Sequence, residues 1–359
     1  MNDKHYILVA FLDWGLGHAT RCMPIIDTLL AKQYAVILAG NGKSLQFMQQ
    51  QYPNLKTYEL PDYNIQYDAN KHAAWQILWQ STKIYDAINK EYECVKNIVA
   101  QENIQTIISD NRYGVHHEKC KNIFVSHQIA IQAPKPFKFV EPFLLNRLLK
   151  LIHKFDELWI PDIEEIEISL TGKLSHNFST KISKKYIGIL SRFTKNIHSS
   201  YYDDEKFDVV AIISGVEPQR THFEATLLEK LKQTNKKCLL ICGRVENEMT
   251  KIVDDNVTII NFLHSDALMY YLQQAKVIVC RSGYSTIMDL VALNKKAILI
   301  PTPGQTEQEY LAKMLSEKKM TIMQTQDKID LVLALQQTES IQGFSNVYTK
   351  DLSKEISLH

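Results

Sequence analysis

Residues 277–312 read VIVCRSGYSTIMDLVALNKKAILIPTPGQTEQEYLA, and their pattern decides the fold. An apolar block at 277–280 leads into a turn of glycine and hydroxyl residues and then into a helical pattern. A second apolar block at 297–300 repeats this order, with 301–304 as the turn. Apolar blocks that alternate with helices are typical of a parallel sheet covered on both faces. The stretch therefore predicts an α/β fold.

The same alternation extends outward from this stretch in two series. Predicted strands of the first series lie at 6–12, 34–39, 56–60, 104–109, 122–126 and 157–160, with helices at 19–32 and 74–101. Predicted strands of the second series lie at 207–213, 237–242, 258–262, 277–280 and 297–300, with helices at 221–233, 265–275, 285–293 and 307–318. Two such series predict two doubly wound, Rossmann-like domains.

The pattern weakens between residues 162 and 206, so we expect the domain boundary within 188–206. We assign an N-terminal domain to 1–190 and a C-terminal domain to 191–335. The remaining tail, 336–359, is expected to pack back on the N-terminal domain.

Composition narrows the class of protein. The chain has 359 residues, of which 45% are hydrophobic and 23% charged, with a formal net charge of +1. These values exclude a disordered chain and give no electrostatic footprint for nucleic acid. The six cysteines form no CxxC pair, which suits a cytoplasmic protein. No apolar run reaches the roughly 18 residues that span a bilayer.

Each predicted domain opens with a glycine-bearing turn between its first strand and first helix. The first turn contains Gly15, Gly17 and His18, and the second begins at Gly215 and reaches Arg220. Backbone N–H groups and the helix dipole can hold an anion at such a place. A tight turn without a ligand explains either loop equally well.

The stretch 282–309 adds chemistry suited to a nucleotide sugar. Hydroxyl residues and glycine at a helix start let the backbone approach a diphosphate. Asp289, one turn into that helix, can accept both hydroxyls of a ribose. Amides and carboxylates at 305–309 can read sugar hydroxyls through paired hydrogen bonds.

These motifs resemble the GT-B glycosyltransferases, in the branch of the bacterial cell-wall N-acetylglucosaminyl transferases (MurG type). The likeness rests on Arg281-Ser-Gly, Thr286, the acid at 289, Gln308-x-Tyr310 and the Gly-x-Gly-His18 loop. Asp289 stands where the family usually has Glu, and Glu309 where it has a second Gln. The resemblance implies two domains facing a central cleft, a UDP-sugar donor on the C-terminal domain and an acceptor on the N-terminal domain.

The resemblance also implies roles for individual residues. Those implied to bind the donor are Gly215, Glu217, Arg220, Gly243, Arg244, Leu263, Arg281, Ser282, Gly283, Ser285, Thr286, Asp289, Gln308 and Glu309. Those implied to contact the acceptor are Gly15, Gly17 and His127. The chain has no Asp-x-Asp motif, so no metal and no other cofactor is expected. Helix N-termini and Arg281 would neutralise the leaving diphosphate.

The function implied is an inverting glycosyltransferase that moves N-acetylglucosamine or a related hexose from a UDP-sugar. The acceptor would be a glycan, a lipid-linked molecule or a small molecule. Two alternatives stay open. A UDP-sugar 2-epimerase would use several carboxylates, for which Glu217, Glu307 and Glu309 are candidates. A nucleotide-sugar binding subunit would bind the donor without turnover.

Two residues are candidates for the base that deprotonates the acceptor. An imidazole such as His18 can accept a proton at neutral pH, and Asp110, at the end of a predicted strand, can orient it or act as base. Asp110 could instead cap a helix or pair with Arg112. The neighbouring His116 and His117 lack spaced partners for a metal and are interpreted as a loop.

Residues 137–155 form a basic, amphipathic stretch. Its apolar side holds Phe143, Leu144, Leu148, Leu151, Ile152 and Phe155, and its basic residues are Arg147, Lys150 and Lys154. One interpretation is a helix packed on the sheet with solvated lysines. The other is a peripheral membrane contact at the inner face of the membrane, which would bring the enzyme to a lipid-linked acceptor.

Overall fold

The computed structural model describes residues 5–63, 81–193, 205–215, 217–244 and 250–356. The chain divides into two compact units: the first comprises Met1–Arg192 and Thr349–His359, the second Phe193–Tyr348. Two predictions fall partly outside the described residues, namely the start of the helix expected at 74–101 and most of the boundary expected at 188–206.

The first unit is built on a parallel sheet, which has seven strands in the described residues. The strands are β1 (Tyr6–Phe11), β2 (Ala35–Gly40), β3 (Lys56–Glu59), β4 (Ile104–Asp110), β5 (Lys121–Val125), β6 (Glu157–Ile160) and β7 (Ser183–Tyr186). Their order is β3-β2-β1-β4-β5-β6-β7. The chain changes direction across the sheet at β1, and such a switch point is where open α/β sheets bind ligands.

Helices cover this sheet and place its loops. They are α1 (Gly17–Ala31), α2 (Gly42–Gln51), α3 (Ser81–Gln101), α4 (Glu141–Ile152), α5 (Lys173–His176) and α11 (Leu352–Glu355), with a 3-10 helix at Lys135–Val140. The buried apolar residues of α1 recur at helical spacing, so one face packs inward.

A carboxylate ties the loop after β1 to the start of α2. Asp13 accepts hydrogen bonds from the backbone N–H and the hydroxyl of Ser44, at 3.1 and 2.6 Å. Gly42 has a φ of +56°, and a Cβ at this position would lie 2.1 Å from Asp13 Oδ2. Glycine is therefore required for the carboxylate to reach the helix.

The second unit repeats the plan with another sheet of seven strands in its described residues. The strands are β8 (Val209–Ile212), β9 (Cys238–Ile241), β10 (Lys251–Asp254), β11 (Val257–Ile260), β12 (Val277–Cys280), β13 (Lys296–Leu299) and β14 (Ile322–Met323). Their order is β10-β11-β9-β8-β12-β13-β14, and only the β10–β11 pairing is antiparallel among the described strands. Here the switch point lies at β8 and β12.

The helices of the second unit are α6 (Gln219–Lys232), α7 (Ser265–Gln274), α8 (Tyr284–Ala292), α9 (Thr306–Glu317) and α10 (Leu331–Gln337). Phe223, Leu227 and Leu231, on one face of α6, pack into the core with the sheet residues. The prediction of two doubly wound α/β domains is confirmed.

Three strands were not predicted, and each has a local reason. β7 reads Ser-Lys-Lys-Tyr, of which only Tyr186 is buried. β10 lies at a sheet edge with Ile252 and Val253 exposed, and β14 has only two residues. Edge strands bury little surface, so they lack the continuous apolar block that marks a central strand.

The last residues return to the first unit, but from a later point than residue 336. Leu331 and Ala334 of α10 belong to the core of the second unit. The returning segment is Thr349–His359. Within it, the Lys350 ammonium donates to the carbonyl of Tyr186 at 3.0 Å, and the Lys32 ammonium donates to that of Ile356 at 2.6 Å. No helix in the described part of the chain is long and apolar enough to cross a membrane.

Candidate functional site

Two predicted residues meet at the switch point of the first sheet. His18 lies in the first turn of α1, directly after β1, and Asp110 is the last residue of the neighbouring β4. The distance from His18 Nδ1 to Asp110 Oδ1 is 2.7 Å. Asp110 is fully buried, while the His18 side chain keeps 14% of its surface exposed. The imidazole is therefore the member of the pair that can reach a substrate.

Arg21, which was not among the predicted site residues, holds the same carboxylate. Its Nε donates to Asp110 Oδ2 and its Nη2 donates to Oδ1. Arg21 is 2% exposed and lies on α1 three residues after His18. That spacing brings both side chains to one face of the helix, which is a signal that the sequence contained.

The electrostatics give the two groups different roles. Burial alone would raise the pKa of Asp110, but the Arg21 guanidinium and His18 outweigh it and hold this pKa well below its usual range. Burial, reinforced by Arg21, lowers the pKa of His18 below 6.5, against the opposing effect of Asp110. At neutral pH the carboxylate is thus charged and the imidazole neutral.

One tautomer of His18 fits these neighbours best. Nδ1 lies 2.7 Å from Asp110 Oδ1 and 2.8 Å from Arg21 Nη2. This nitrogen either carries a proton that it donates or has a lone pair that accepts. Since the ionised Asp110 carboxylate can only accept, we assign the proton to Nδ1, which donates to it. This assignment leaves Nε2 with a lone pair that can accept a proton from a substrate.

His127 joins this cluster through Arg21. Arg21 Nη1 donates to His127 Nδ1 at 2.9 Å, and both side chains are buried. Cys22 is also close, with its Sγ 3.7 Å from Asp110 Oδ2, and burial raises the pKa of its thiol. Of the remaining predicted residues here, Gly15 lies in the loop between β1 and α1, and Gly17 is the first residue of α1.

Asp110 does not pair with Arg112, so that alternative is wrong. Arg112 is fully buried and its Nε donates to Glu91 Oε1 at 2.5 Å. Its Nη1 donates to Asn41 Oδ1 at 2.8 Å and its Nη2 to the carbonyl of Pro61 at 2.5 Å. Arg112 thus joins α3 to the loops that follow β2 and β3.

His116 and His117 form no metal centre with their surroundings. Burial lowers the pKa of His116 to about 4. Within the residues that the structure describes, no group of three or more His, Cys, Asp or Glu side chains could hold a metal ion.

In the second unit, two predicted loops meet at the start of α6. Gly215 lies in the loop after β8, and Glu217 accepts a hydrogen bond from Arg220 Nη2. Arg220 Nη1 also donates to the carbonyl of Cys242 at 3.1 Å, beside Gly243. Gly243 has a φ of +66°, and a Cβ there would lie 2.9 Å from the carbonyl oxygen of Ile213, so only glycine fits.

Arg244 and Leu263 lie in the neighbouring loops. Arg244 Nη2 donates to Glu224 Oε1 on α6, and its backbone N–H donates to the carbonyl of Asn261 at 2.7 Å. Leu263 is buried after β11, next to His264, which precedes the first residue of α7.

The start of α8 presents the predicted diphosphate and ribose residues together. Gly283 is the N-cap, and Ser285, Thr286 and Asp289 are all partly exposed. Residues 285 and 289 are four apart, so they share a helix face. Ser282, in contrast, is buried, and its hydroxyl donates to the carbonyl of Gln308 at 2.8 Å.

Arg281 is buried and its guanidinium contacts groups of its own unit, while its expected role in neutralising a diphosphate stays a prediction. Its Nη1 donates to the carbonyls of Ile300 and Pro301 at 3.1 and 3.0 Å, and its Nη2 donates to Gln326 Oε1 at 2.6 Å. The guanidinium lies 3.6 Å from the ring centroid of Phe223, and burial lowers its pKa to about 10. It is 2% exposed.

Gln308 and Glu309 hold the loop at 301–304. Gln308 Oε1 accepts from the backbone N–H of Thr302, and Glu309 Oε1 accepts from that of Gly304, both at 2.9 Å. Both side chains start from the first turn of α9. A sugar ligand would have to compete with, or use, this hydrogen-bonded arrangement.

The stretch 137–155 divides into a packed and an exposed part. Leu144, Leu148 and Ile152 of α4 are buried, and the last two belong to a core cluster of the first unit. Phe143 does not join them: it is 57% exposed, and Phe139 is 77% exposed. The helix α4 therefore packs on the sheet, while Phe143 and, in the preceding 3-10 helix, Phe139 are exposed to solvent.

Two doubly wound α/β units with candidate sites at their switch points define the fold of GT-B glycosyltransferases, and solved structures support this assignment. A glycosyltransferase of kitacinnamycin superposes with a TM-score of 0.68 at 12% identity, covering 97% of this chain and 93% of that one. The MurG of Acinetobacter baumannii superposes with a TM-score of 0.55 at 14% identity, covering 94% and 90%. The resemblance predicted from the motifs is confirmed at the level of fold.

The family signal is concentrated in the second unit. Residues 210–348 match the glycosyltransferase family 28 C-terminal domain. A curated relative from Caldanaerobacter subterraneus subsp. tengcongensis is 28% identical over 131 residues. It is a UDP-N-acetylglucosamine--N-acetylmuramyl-(pentapeptide) pyrophosphoryl-undecaprenol N-acetylglucosamine transferase. The match covers 31% of this chain and 35% of the relative's length.

Proposed function

We propose that the protein is an inverting glycosyltransferase that uses a UDP-sugar. The observation that carries the proposal is the occurrence, in one chain, of a family 28 C-terminal domain at 210–348 and of the His18–Asp110 pair at the switch point of the other unit. The sugar is proposed to be N-acetylglucosamine or a related hexose, as in the named activity of the curated relative.

In this mechanism His18 is the general base. Its Nδ1–H donates to Asp110, and Nε2 takes the proton of the acceptor hydroxyl. The acceptor oxygen forms a bond to the anomeric carbon while the bond from that carbon to the diphosphate oxygen breaks. The electron pair leaves with UDP, and the anomeric configuration inverts. Asp110 cannot share this role because Arg21 engages both of its oxygens.

The second unit is proposed to hold the donor. The first turns of α6 and α8 present backbone N–H groups and helix dipoles to the diphosphate. Asp289 would accept the ribose hydroxyls, Gln308 and Glu309 would read the sugar, and the backbone around Leu263 would face the uracil ring. Arg220 and Arg244 are better placed than the buried Arg281 to offset the diphosphate charge.

Donor binding is tested by isothermal titration with UDP and UDP-N-acetylglucosamine. We expect Asp289→Ala to weaken the binding of both ligands, because the ribose loses its acceptor. The control Glu317→Ala removes an exposed carboxylate from α9 in the same unit and should bind like the parent. Equal affinity in Asp289→Ala and the parent would overturn the ribose assignment.

Turnover separates the proposed reaction from its alternatives. With a panel of glycan, lipid-linked and small-molecule acceptors, we expect UDP release that depends on an acceptor and is lost in His18→Gln. Release of UDP and an isomerised sugar without acceptor would indicate a 2-epimerase. Donor binding without turnover across the panel would indicate a binding subunit.

A lipid-linked acceptor is proposed to be reached through the exposed aromatic residues of 137–155, on the cytoplasmic face of a membrane. Phe139 and Phe143 are exposed, and the Arg147 guanidinium lies 5.7 Å from the Phe143 ring centroid. Apolar side chains beside basic ones favour an anionic lipid surface. The protein should sediment with anionic vesicles, and Phe139→Ser with Phe143→Ser should abolish this. Failure of the parent to sediment would remove the membrane contact and leave the transferase proposal intact.

A further inference from the structure

Arg21 connects three side chains that come from three different elements. It lies on α1, and its Nε and Nη2 donate hydrogen bonds to Asp110 at the end of β4. Its Nη1 donates to His127, which follows β5. Nη2 also lies 2.8 Å from Nδ1 of His18. One planar guanidinium therefore contacts both imidazoles and the carboxylate of the cluster.

We propose that Arg21 is a positioning residue that fixes His18 and His127 in opposite tautomers, so that one imidazole is a base and the other a hydrogen-bond donor. The proposal rests on the proposed function for its catalytic meaning. Its structural content concerns only the four side chains His18, Arg21, Asp110 and His127.

The tautomers follow from which atoms Arg21 leaves available. A guanidinium only donates, so the Nδ1 that it contacts in His127 must be the acceptor of that hydrogen bond. The proton of a neutral His127 then sits on Nε2. His18 differs because its Nδ1, although 2.8 Å from Arg21 Nη2, also lies 2.7 Å from the Asp110 carboxylate that Arg21 holds in place, and a carboxylate only accepts. The His18 proton therefore sits on Nδ1 and the lone pair on Nε2. His18 can therefore accept a proton at Nε2, while in His127 the N–H group is at Nε2.

Charge supports the same arrangement. Arg21 and Asp110 neutralise each other, so neither demands a charged imidazole. The groups that face His18 are Arg21 on its own helix, Asp110 from β4 and His127 from the loop after β5, with Cys22 beside Asp110. Of these, only Asp110 favours the protonated imidazole, while Arg21 at 2.8 Å opposes it. Burial, reinforced by Arg21, thus keeps the base free of a proton before the acceptor arrives.

The test is histidine NMR on the full chain without substrate. Nitrogen-15 shifts of labelled imidazoles report the tautomer, and a pH titration reports the midpoint; His18→Gln and His127→Gln assign the two signals. In the parent we expect a protonated Nδ1 in His18, a protonated Nε2 in His127, and a His18 midpoint below 6.5.

Arg21→Gln removes the nearby positive charge. We expect the His18 midpoint to rise by about one unit, the size typical of a neighbouring charge, and the His127 signal to become a tautomer mixture. The matched control Lys96→Gln removes an exposed positive charge from α3 of the same unit and should change neither signal. Unchanged tautomers and midpoint in Arg21→Gln would overturn the proposal.

Arg21→Lys decides the matter if Arg21→Gln does not fold. The ammonium keeps the charge beside Asp110 but has no planar fork to reach His127 at the same time. The His18 midpoint should stay below 6.5 while the His127 tautomer becomes mixed, and a His127 signal like that of the parent would overturn the proposal.

These measurements are independent of turnover. If the unsubstituted protein shows the expected tautomers but no activity, only the proposed function is contradicted. An active parent whose Arg21 variants keep both tautomers and the acid limb of their pH–rate profiles would sink this inference alone.

Discussion

Asp110→Asn changes one oxygen to an amide nitrogen in the most buried part of the candidate site. The amide NH2 would face either the Nδ1 of His18 or the donors of Arg21, and neither can accept from it while it keeps its present proton. If the amide donates to Nδ1, the imidazole proton moves to Nε2, the atom that must receive the acceptor proton. The base is then blocked by its own proton.

The size of the effect follows from what is lost. General base catalysis contributes about 10²- to 10⁴-fold, so kcat should fall by about that factor. This corresponds to about 3 to 5 kcal/mol in the barrier. Arg21, 2% exposed, also loses its counter-ion, and breaking such a buried pair typically costs about 3 to 5 kcal/mol of folding stability.

The assay must separate these two losses. Initial rates at saturating UDP-sugar give kcat, UDP titration gives the donor affinity, and urea unfolding shows whether the variant is folded at the assay temperature. Donor affinity should be unchanged, because the residues proposed to bind the donor lie in the second unit. The control Asp27→Asn makes the same substitution elsewhere in the first unit, at a carboxylate that accepts a hydrogen bond from the Tyr52 hydroxyl, and it should retain kcat. A folded Asp110→Asn enzyme with the kcat of the parent would refute the role of the pair.

Three further results are expected from other parts of the molecule. Burial and Arg21 lower the pKa of His18 below 6.5, the ordinary pKa of a histidine in an unfolded chain. The acid limb of the kcat/KM profile should therefore lie below pH 6.5, and a limb above that pH contradicts the assignment. Arg112→Met leaves the fully buried Glu91 without its charged partner and should cost about 3 to 5 kcal/mol in urea unfolding, with much of the loss recovered when Glu91→Leu is added; a single variant as stable as the parent would be inconsistent with this pair. Arg281→Met should lower the stability of the second unit but leave the Kd for UDP near that of the parent, and a large loss of UDP affinity in a stable variant would restore the diphosphate role.

Central strands were predictable from the sequence because they are buried on both faces and read as apolar blocks. β1 and β12 are examples: the chain after β1 leads to His18 in the first turn of α1, and the loop after β12 carries Ser282. The edge strand β10 was not predictable, since Ile252 and Val253 face solvent and are too few to form a pattern.

The candidate site was predictable only in part. His18 and Asp110 were predictable because one lies near the start of a helix and the other at the end of a strand, and the structure shows that they pair. The charge of Arg281 suggested an anion partner. Sequence cannot distinguish a guanidinium that faces a ligand from one that donates hydrogen bonds to backbone carbonyls, as Arg281 does. Arg21 was overlooked because a basic residue in an amphipathic helix usually faces solvent, and only the three-dimensional position of Asp110 brings it inward.

The path of the chain has a practical consequence for dissecting the molecule. Because Thr349–His359 belongs with Met1–Arg192, the second unit is an uninterrupted insert, and a gene fragment for Phe193–Tyr348 encodes all of it. The first unit can be produced alone only by splicing two pieces. Omitting the shorter piece would remove the carbonyl of Ile356 that receives the Lys32 ammonium, at the opposite end of the helix that begins beside His18.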